Sequence, residues 1–96
     1  MKILSHRGYW LSASEKNTEK SFYRSFDAGF GTETDIRDNN GTLVISHDAP
    51  TGSEMTLENF LNVLNERCLP IAINIKADGL AAMLKRMMIK ANVSDW

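Results

Sequence analysis

The segment GTETDIRDNNGTLVISHD, residues 31–48, constrains the fold of this chain more than any other stretch. Side chains alternate across a strand, so Glu33, Asp35 and Arg37 share one face while Thr34 and Ile36 take the other. Asp38-Asn39-Asn40-Gly41 is a strong hairpin signal, because Asn and Gly tolerate positive φ. TLVISH (42–47) is then the returning strand, ending on His47-Asp48. Three charges on one strand face leave two readings. Either that face is the wet side of an exposed hairpin, or it looks at an anionic ligand and a cation.

The rest of the chain places this hairpin among helices. Strand-like runs fall at KILSHR (2–7), TETDIR, TLVISH and IAINIK (71–76), alternating with three helical patterns. Phe22 and Phe26 stand at i and i+4 ahead of Gly29, a C-cap residue. Thr56 reads as an N-cap before Leu57, Phe60, Leu61 and Leu64, and Pro70 stops that helix. The last helix is expected to start at Asp78 as its N-cap, with Leu80, Met83, Leu84, Met87 and Met88 along one stripe. This stripe is read as core, since Met fills irregular apolar space. Strands separated by helices argue for βα units and a parallel sheet, either doubly wound or closed as a (β/α) barrel.

Composition narrows the functional classes. With 96 residues the chain is one small domain, and 43% hydrophobic with 24% charged residues is ordinary globular usage. A formal net charge of −1 gives no electrostatic footprint for nucleic acid. No apolar run approaches the ~20 residues of a membrane span, and no signal-peptide pattern follows Met1-Lys2, so the expected compartment is the cytoplasm. The single Cys68 forms no internal disulfide; it is expected to be a small buried hydrophobe at a helix end.

The four strand-like runs all become polar at their ends: His6-Arg7, then Glu33 and Asp35, then His47-Asp48, then Asn74 and Lys76. Asn74 and Lys76 share a face, opposite Ile71, Ile73 and Ile75, which call for a covering helix layer. The C-terminal ends of parallel strands are where α/β folds build ligand sites. The chemistry is specific. Glu33 and Asp35 are hard oxygen ligands for Mg²⁺ or Ca²⁺, to which Asn74 adds a carbonyl oxygen. His6 and His47 form an acid–base pair, and Arg7 and Lys76 are cations for a phosphoryl oxygen. Together they describe phosphoryl-ester hydrolysis.

These residues resemble the glycerophosphodiester phosphodiesterase family. The likeness rests on HRG (6–8), NT (17–18), SF (21–22), AG (28–29), ETDIRD (33–38) and VISHD (44–48), and runs from residue 4 to about 80. It implies a (β/α)₈ TIM-barrel fold, of which this chain supplies about four strands and three helices, roughly the N-terminal half. It also implies hydrolysis of a small glycerophosphodiester to an alcohol and a phosphomonoester with a divalent cation. By the same resemblance, His6 and His47 are the catalytic acid–base pair, Arg7 and Lys76 contact the phosphate, and Glu33 and Asp35 hold the metal. Two positions depart from the family: Lys16 replaces the Glu of Glu-Asn-Thr, and Asn74 replaces the Glu of Glu-x-Lys, a third metal ligand. A complete barrel takes about 250 residues, so a half barrel is expected to expose edge strands and to self-associate. A non-catalytic phosphate-ester binding protein, or an inactive truncated remnant, is the alternative.

Overall fold

The strand β2, Gly31–Asn39, is the axis on which the rest of the sheet is assembled in the computed structural model, which describes residues 3–64, 67–75, 79–93 and 96. Its alternation is realised as expected: Thr32, Thr34 and Ile36 are all fully buried on one face, and Glu33, Asp35 and Arg37 lie on the other. Strand β1 (Leu4–His6) runs parallel to it, pairing with Gly31–Glu33. Strand β3 (Thr42–Ile45) runs antiparallel, pairing with Ile36–Asn39. Strand β4 (Ile71–Ile75) is parallel and pairs with Thr32–Ile36. A strand has only two edges, so β4 takes one while β1 and β3 follow each other along the other. The result is a mixed, open four-stranded sheet.

Helices α1 (Glu19–Asp27), α2 (Leu57–Leu64) and α3 (Ala81–Lys90) complete the described elements, with a short 3-10 turn at Ala13–Glu15. They contribute to a single apolar cluster on the Thr32–Ile36 face, where Phe22 and Phe26 of α1, Phe60 of α2, and Leu84 and Met88 of α3 meet Ile36, Ile45 and Ile71. The rings of Phe22 and Phe60 meet edge to face, centroids 4.9 Å apart. The methionine stripe is therefore core: Met88 is fully buried, and Met83 and Met87 pack against the cluster.

Local signals decide the helix ends. Thr18 caps α1 by accepting from the Ser21 amide, while the Ser21 hydroxyl accepts from the Thr18 amide. At the other end Gly29 adopts φ 82°. The Phe30 and Gly29 amides donate to the Ser25 and Phe26 carbonyls, a Schellman closure. Thr56 caps α2 by accepting from the Asn59 amide.

The expected hairpin forms: the two-residue turn at Asn40-Gly41, both with positive φ, folds the third run straight back antiparallel on β2, so the sheet is mixed and not wholly parallel. Other expectations change. The first strand is only Leu4–His6, since Arg7 turns out of it with φ 56°. Helix α3 begins at Ala81 after Leu80, which offers no side-chain cap; the expected cap Asp78 lies outside the described residues, as does Lys76. The isoleucine face of β4 loses its cover along the strand: Ile71 is buried and Ile73 packs against the core, whereas Ile75 is 43% exposed. Cys68 is exposed in the link to β4, beyond the end of α2, while its neighbour Leu69 packs on the core.

Candidate functional site

The charged face of β2 gathers a connected polar cluster from four segments. At its buried end, Asp35 has no exposed side-chain surface, and Arg7 Nε lies 3.2 Å from Asp35 Oδ2 as an ion pair. The Arg7 guanidinium also reaches His47, with Nη2 2.8 Å from Nδ1. A guanidinium can only donate, so in the neutral ring Nδ1 is the accepting nitrogen of this contact. The His47 Nδ1 atom is also 3.5 Å from Asp35 Oδ2.

The open end lies one residue pair further back along the strands. His6 stands opposite Glu33 in the β1–β2 register, and its Nε2 is 3.2 Å from Glu33 Oε2. Asn74 stands opposite Asp35 in the β2–β4 register. Its Nδ2 donates to Glu33 Oε1 at 2.6 Å and to Asp35 Oδ1 at 3.4 Å, so one amide spans both carboxylates.

Backbone geometry explains how residues that are neighbours in sequence reach one face. His6 and Arg7 would point to opposite faces of a regular strand. The left-handed backbone of Arg7 re-aims its side chain toward Asp35, and this costs of order 1 kcal/mol or more for a residue other than glycine. Three hydrogen bonds hold the turn: Arg7 N–H to the Glu33 carbonyl at 2.7 Å, Asn17 N–H to the Arg7 carbonyl at 2.8 Å, and Gly8 N–H to Thr32 Oγ1 at 3.0 Å. Gly8 itself has φ 87°, and a Cβ there would overlap the Ser21 side chain. The HRG triplet is thus a geometric unit in which the glycine lets α1 approach.

His47 reaches the cluster through the hairpin turn and not as the end of a parallel strand. Its strand runs antiparallel, so its end does not lie at the C-terminal edge shared by β1, β2 and β4. The hairpin instead carries the chain back to the level of Asp35, whose carbonyl accepts from the Ser46 amide at 3.0 Å. Arg37 then anchors the residue: its Nε and Nη2 both donate to the His47 carbonyl, at 3.1 and 2.7 Å. The sequence showed Arg37 on the charged face, but its partner depends on tertiary register.

Beside Arg7 and His47 opens a cleft of about 760 Å³, walled by the segment that leads into α1 (Lys16, Asn17, Thr18) and by the 46–55 segment. Lys16 lies 4.7 Å from the Trp10 ring centroid, and Asn17, with φ 58°, accepts from the Thr34 hydroxyl at 2.7 Å. The 46–55 segment is braced by Glu54, whose carboxylate accepts from the amides of Thr51 and Gly52 and is held down to about 2 by them. Glu15 is likewise lowered to about 2, chiefly by its hydrogen bond from Arg24.

His6, Arg7, Glu33, Asp35, His47 and Asn74 are thus brought together as the sequence anticipated. Among the described residues no group of three or more His, Cys, Asp or Glu side chains is arranged to hold a metal ion. The donor set explains this. Glu33 and Asp35 do converge, but the third residue presents N–H groups to them instead of an oxygen lone pair. As arranged, these three residues do not fit a resident divalent cation. No protein-family model matches the chain, and a search of curated proteins finds no match.

Proposed function

We propose that the chain binds a phosphodiester of the glycerophosphodiester type at the Arg7–His47 end of the cluster and hydrolyses it with His6 and His47. The observation that carries this reading is the convergence of six chemically matched residues from four segments into one network, beside a cleft with room for a small ester. A structural role for the charges would need only pairwise partners. Here two histidines, an arginine and two carboxylates meet on the sheet face opposite the three described helices.

In this proposal Arg7 gives the phosphoryl oxygens a forked, charge-assisted donor. His47, on the cleft wall, enters the step as the imidazolium, its Nδ1–H toward Asp35 Oδ2, and gives its Nε2 proton to the leaving alcohol as the P–O bond breaks. His6 accepts a proton of the attacking water as the new P–O bond forms. Glu33 and Asp35 orient His6 and Arg7. The parallel arrangement of β1, β2 and β4, with helices on one face and charges on the other, also supports the sheet as part of a (β/α) barrel whose interior is the charged face. The edges of β1 and β4 are then where a second copy or further strands would add.

The test is turnover of glycerophosphocholine and of a 4-nitrophenyl phosphodiester by the wild type, His6→Ala and His47→Ala. Both substitutions should abolish turnover of the choline ester, while the nitrophenyl ester, whose leaving group needs no proton, should restore activity to His47→Ala only. Equal activity of all three proteins would remove the catalytic reading. The second reading, phosphate-ester binding without turnover, is favoured by Asn74 in place of a carboxylate; inactive wild type that still binds glycerol 3-phosphate through Arg7 would establish it.

A further inference from the structure

We infer that Asn74 takes the place of a cation in this cluster, so that the site binds its anionic ligand without a divalent metal. Two carboxylates on one strand face repel each other and need positive charge between them. In this chain that need is met from within. Asn74 sends its two N–H groups toward Glu33 Oε1 and Asp35 Oδ1, His6 Nε2 stands against Glu33 Oε2, and Arg7 Nε stands against Asp35 Oδ2. Glu33 Oε1 and Asp35 Oδ1 therefore face the Asn74 amide, and Glu33 Oε2 and Asp35 Oδ2 stand within ion-pair distance of His6 and Arg7.

A metal would have to undo this arrangement. Oxygen ligands sit about 2.0–2.1 Å from Mg²⁺ and about 2.3–2.6 Å from Ca²⁺. To offer an oxygen, the Asn74 amide must turn over and surrender both of its hydrogen bonds, and the ion gains only a neutral ligand in return. Hard cations are selected by the number of charged oxygens, and here the third position supplies none. The carboxylates instead act as positioning groups that fix the direction of Arg7 and His6.

Asn74 is exposed, so a solvated ion has open access, and a failure to bind would reflect the donor set and not a closed route. The ligand arm of the inference rests on the phosphate-ester reading; the cation arm does not. The experiment is a titration of the intact chain with Mn²⁺ and Mg²⁺ alone, followed by calorimetry and thermal melting. Binding of glycerol 3-phosphate is then measured in EDTA and in Mn²⁺. The wild type should show no saturable cation binding in the low-millimolar range and the same melting temperature in both conditions. Asn74→Asp, which restores a third carboxylate, should bind Mn²⁺ at least about tenfold more tightly. Wild-type affinity for glycerol 3-phosphate should be unchanged by EDTA.

Saturable wild-type Mn²⁺ binding that Glu33→Gln abolishes would overturn the inference, as would phosphate-ester binding that requires the ion. The wild-type titration decides this even if Asn74→Asp does not fold. Absence of glycerol 3-phosphate binding in both conditions would instead sink the functional reading, leaving the cation comparison to stand on its own.

Discussion

The two halves of the polar cluster each set a histidine beside a carboxylate and differ in how deeply that carboxylate is buried. In the Arg7–Asp35–His47 half, Asp35 is fully buried and the Arg7 side chain is 17% exposed, with His47 the most exposed of the three at 42%. In the His6–Glu33–Asn74 half, His6 is 57% exposed and Glu33 23%. Charges removed from water are costly unless paired, and removing one partner leaves the other stranded. Charges near solvent are screened and replaceable. The buried half is therefore part of what folds the protein, and the open half is where its chemistry can change at little structural expense.

The strongest way to break this contrast is Asp35→Ala. It strands the Arg7 guanidinium and removes a partner of Asn74, and should cost about 3–5 kcal/mol in urea unfolding. A loss below about 1 kcal/mol would mean that the two halves are equivalent. Next comes Arg37→Met, which deletes two charged hydrogen bonds to the His47 carbonyl. A loss of about 1.5–3 kcal/mol is expected, and binding of glycerol 3-phosphate should weaken because His47 is no longer held.

At the open end the order of effects should reverse. Glu33→Gln and His6→Ala should each change stability by less than about 1 kcal/mol, yet both should depress turnover strongly. Large destabilisation by either would erase the distinction. The smallest effect concerns carboxylates outside the cluster. Glu15 and Glu54 are held at about 2 instead of the ordinary 4.5. Their folded values are depressed, so their contribution is complete above about 4.5 and is lost as the pH falls toward 2. A carboxyl NMR titration of Glu54 should find its midpoint near 2, and Glu54→Gln should quicken hydrogen exchange at the Thr51 and Gly52 amides without moving the His47 signals.

Much of the hairpin and of the cluster was legible in the sequence because both are written in periodicity. Glu33 and Asp35 on one face, Thr34 and Ile36 on the other, and Asn40-Gly41 at the turn follow from strand alternation and turn chemistry alone. So does the Phe60 face of α2, from its 3.6-residue spacing and the Thr56 cap. What did not follow was tertiary. Only the fold shows that His47 comes to the level of Asp35 from the side, and that the residue after β1 turns left-handed to aim Arg7 at Asp35. The bond from Asn74 to both carboxylates depends on a register of Asp35 opposite Asn74, which no local pattern encodes. Cys68 was misjudged because its neighbour Leu69 takes the apolar contact in the link to β4.

The Asn40-Gly41 turn has a further consequence. Surface loop tips ordinarily accept added residues at little cost. This one sets the length of the return path from Asp35 to His47, and a strand slipped by a single position turns over every side chain it carries. An extra residue at the tip would exchange Val44 for its inward neighbours and swing His47 off Asp35. The outermost point of the hairpin is thus a ruler for the site beneath it, and the number of residues there is under tighter control than their identity.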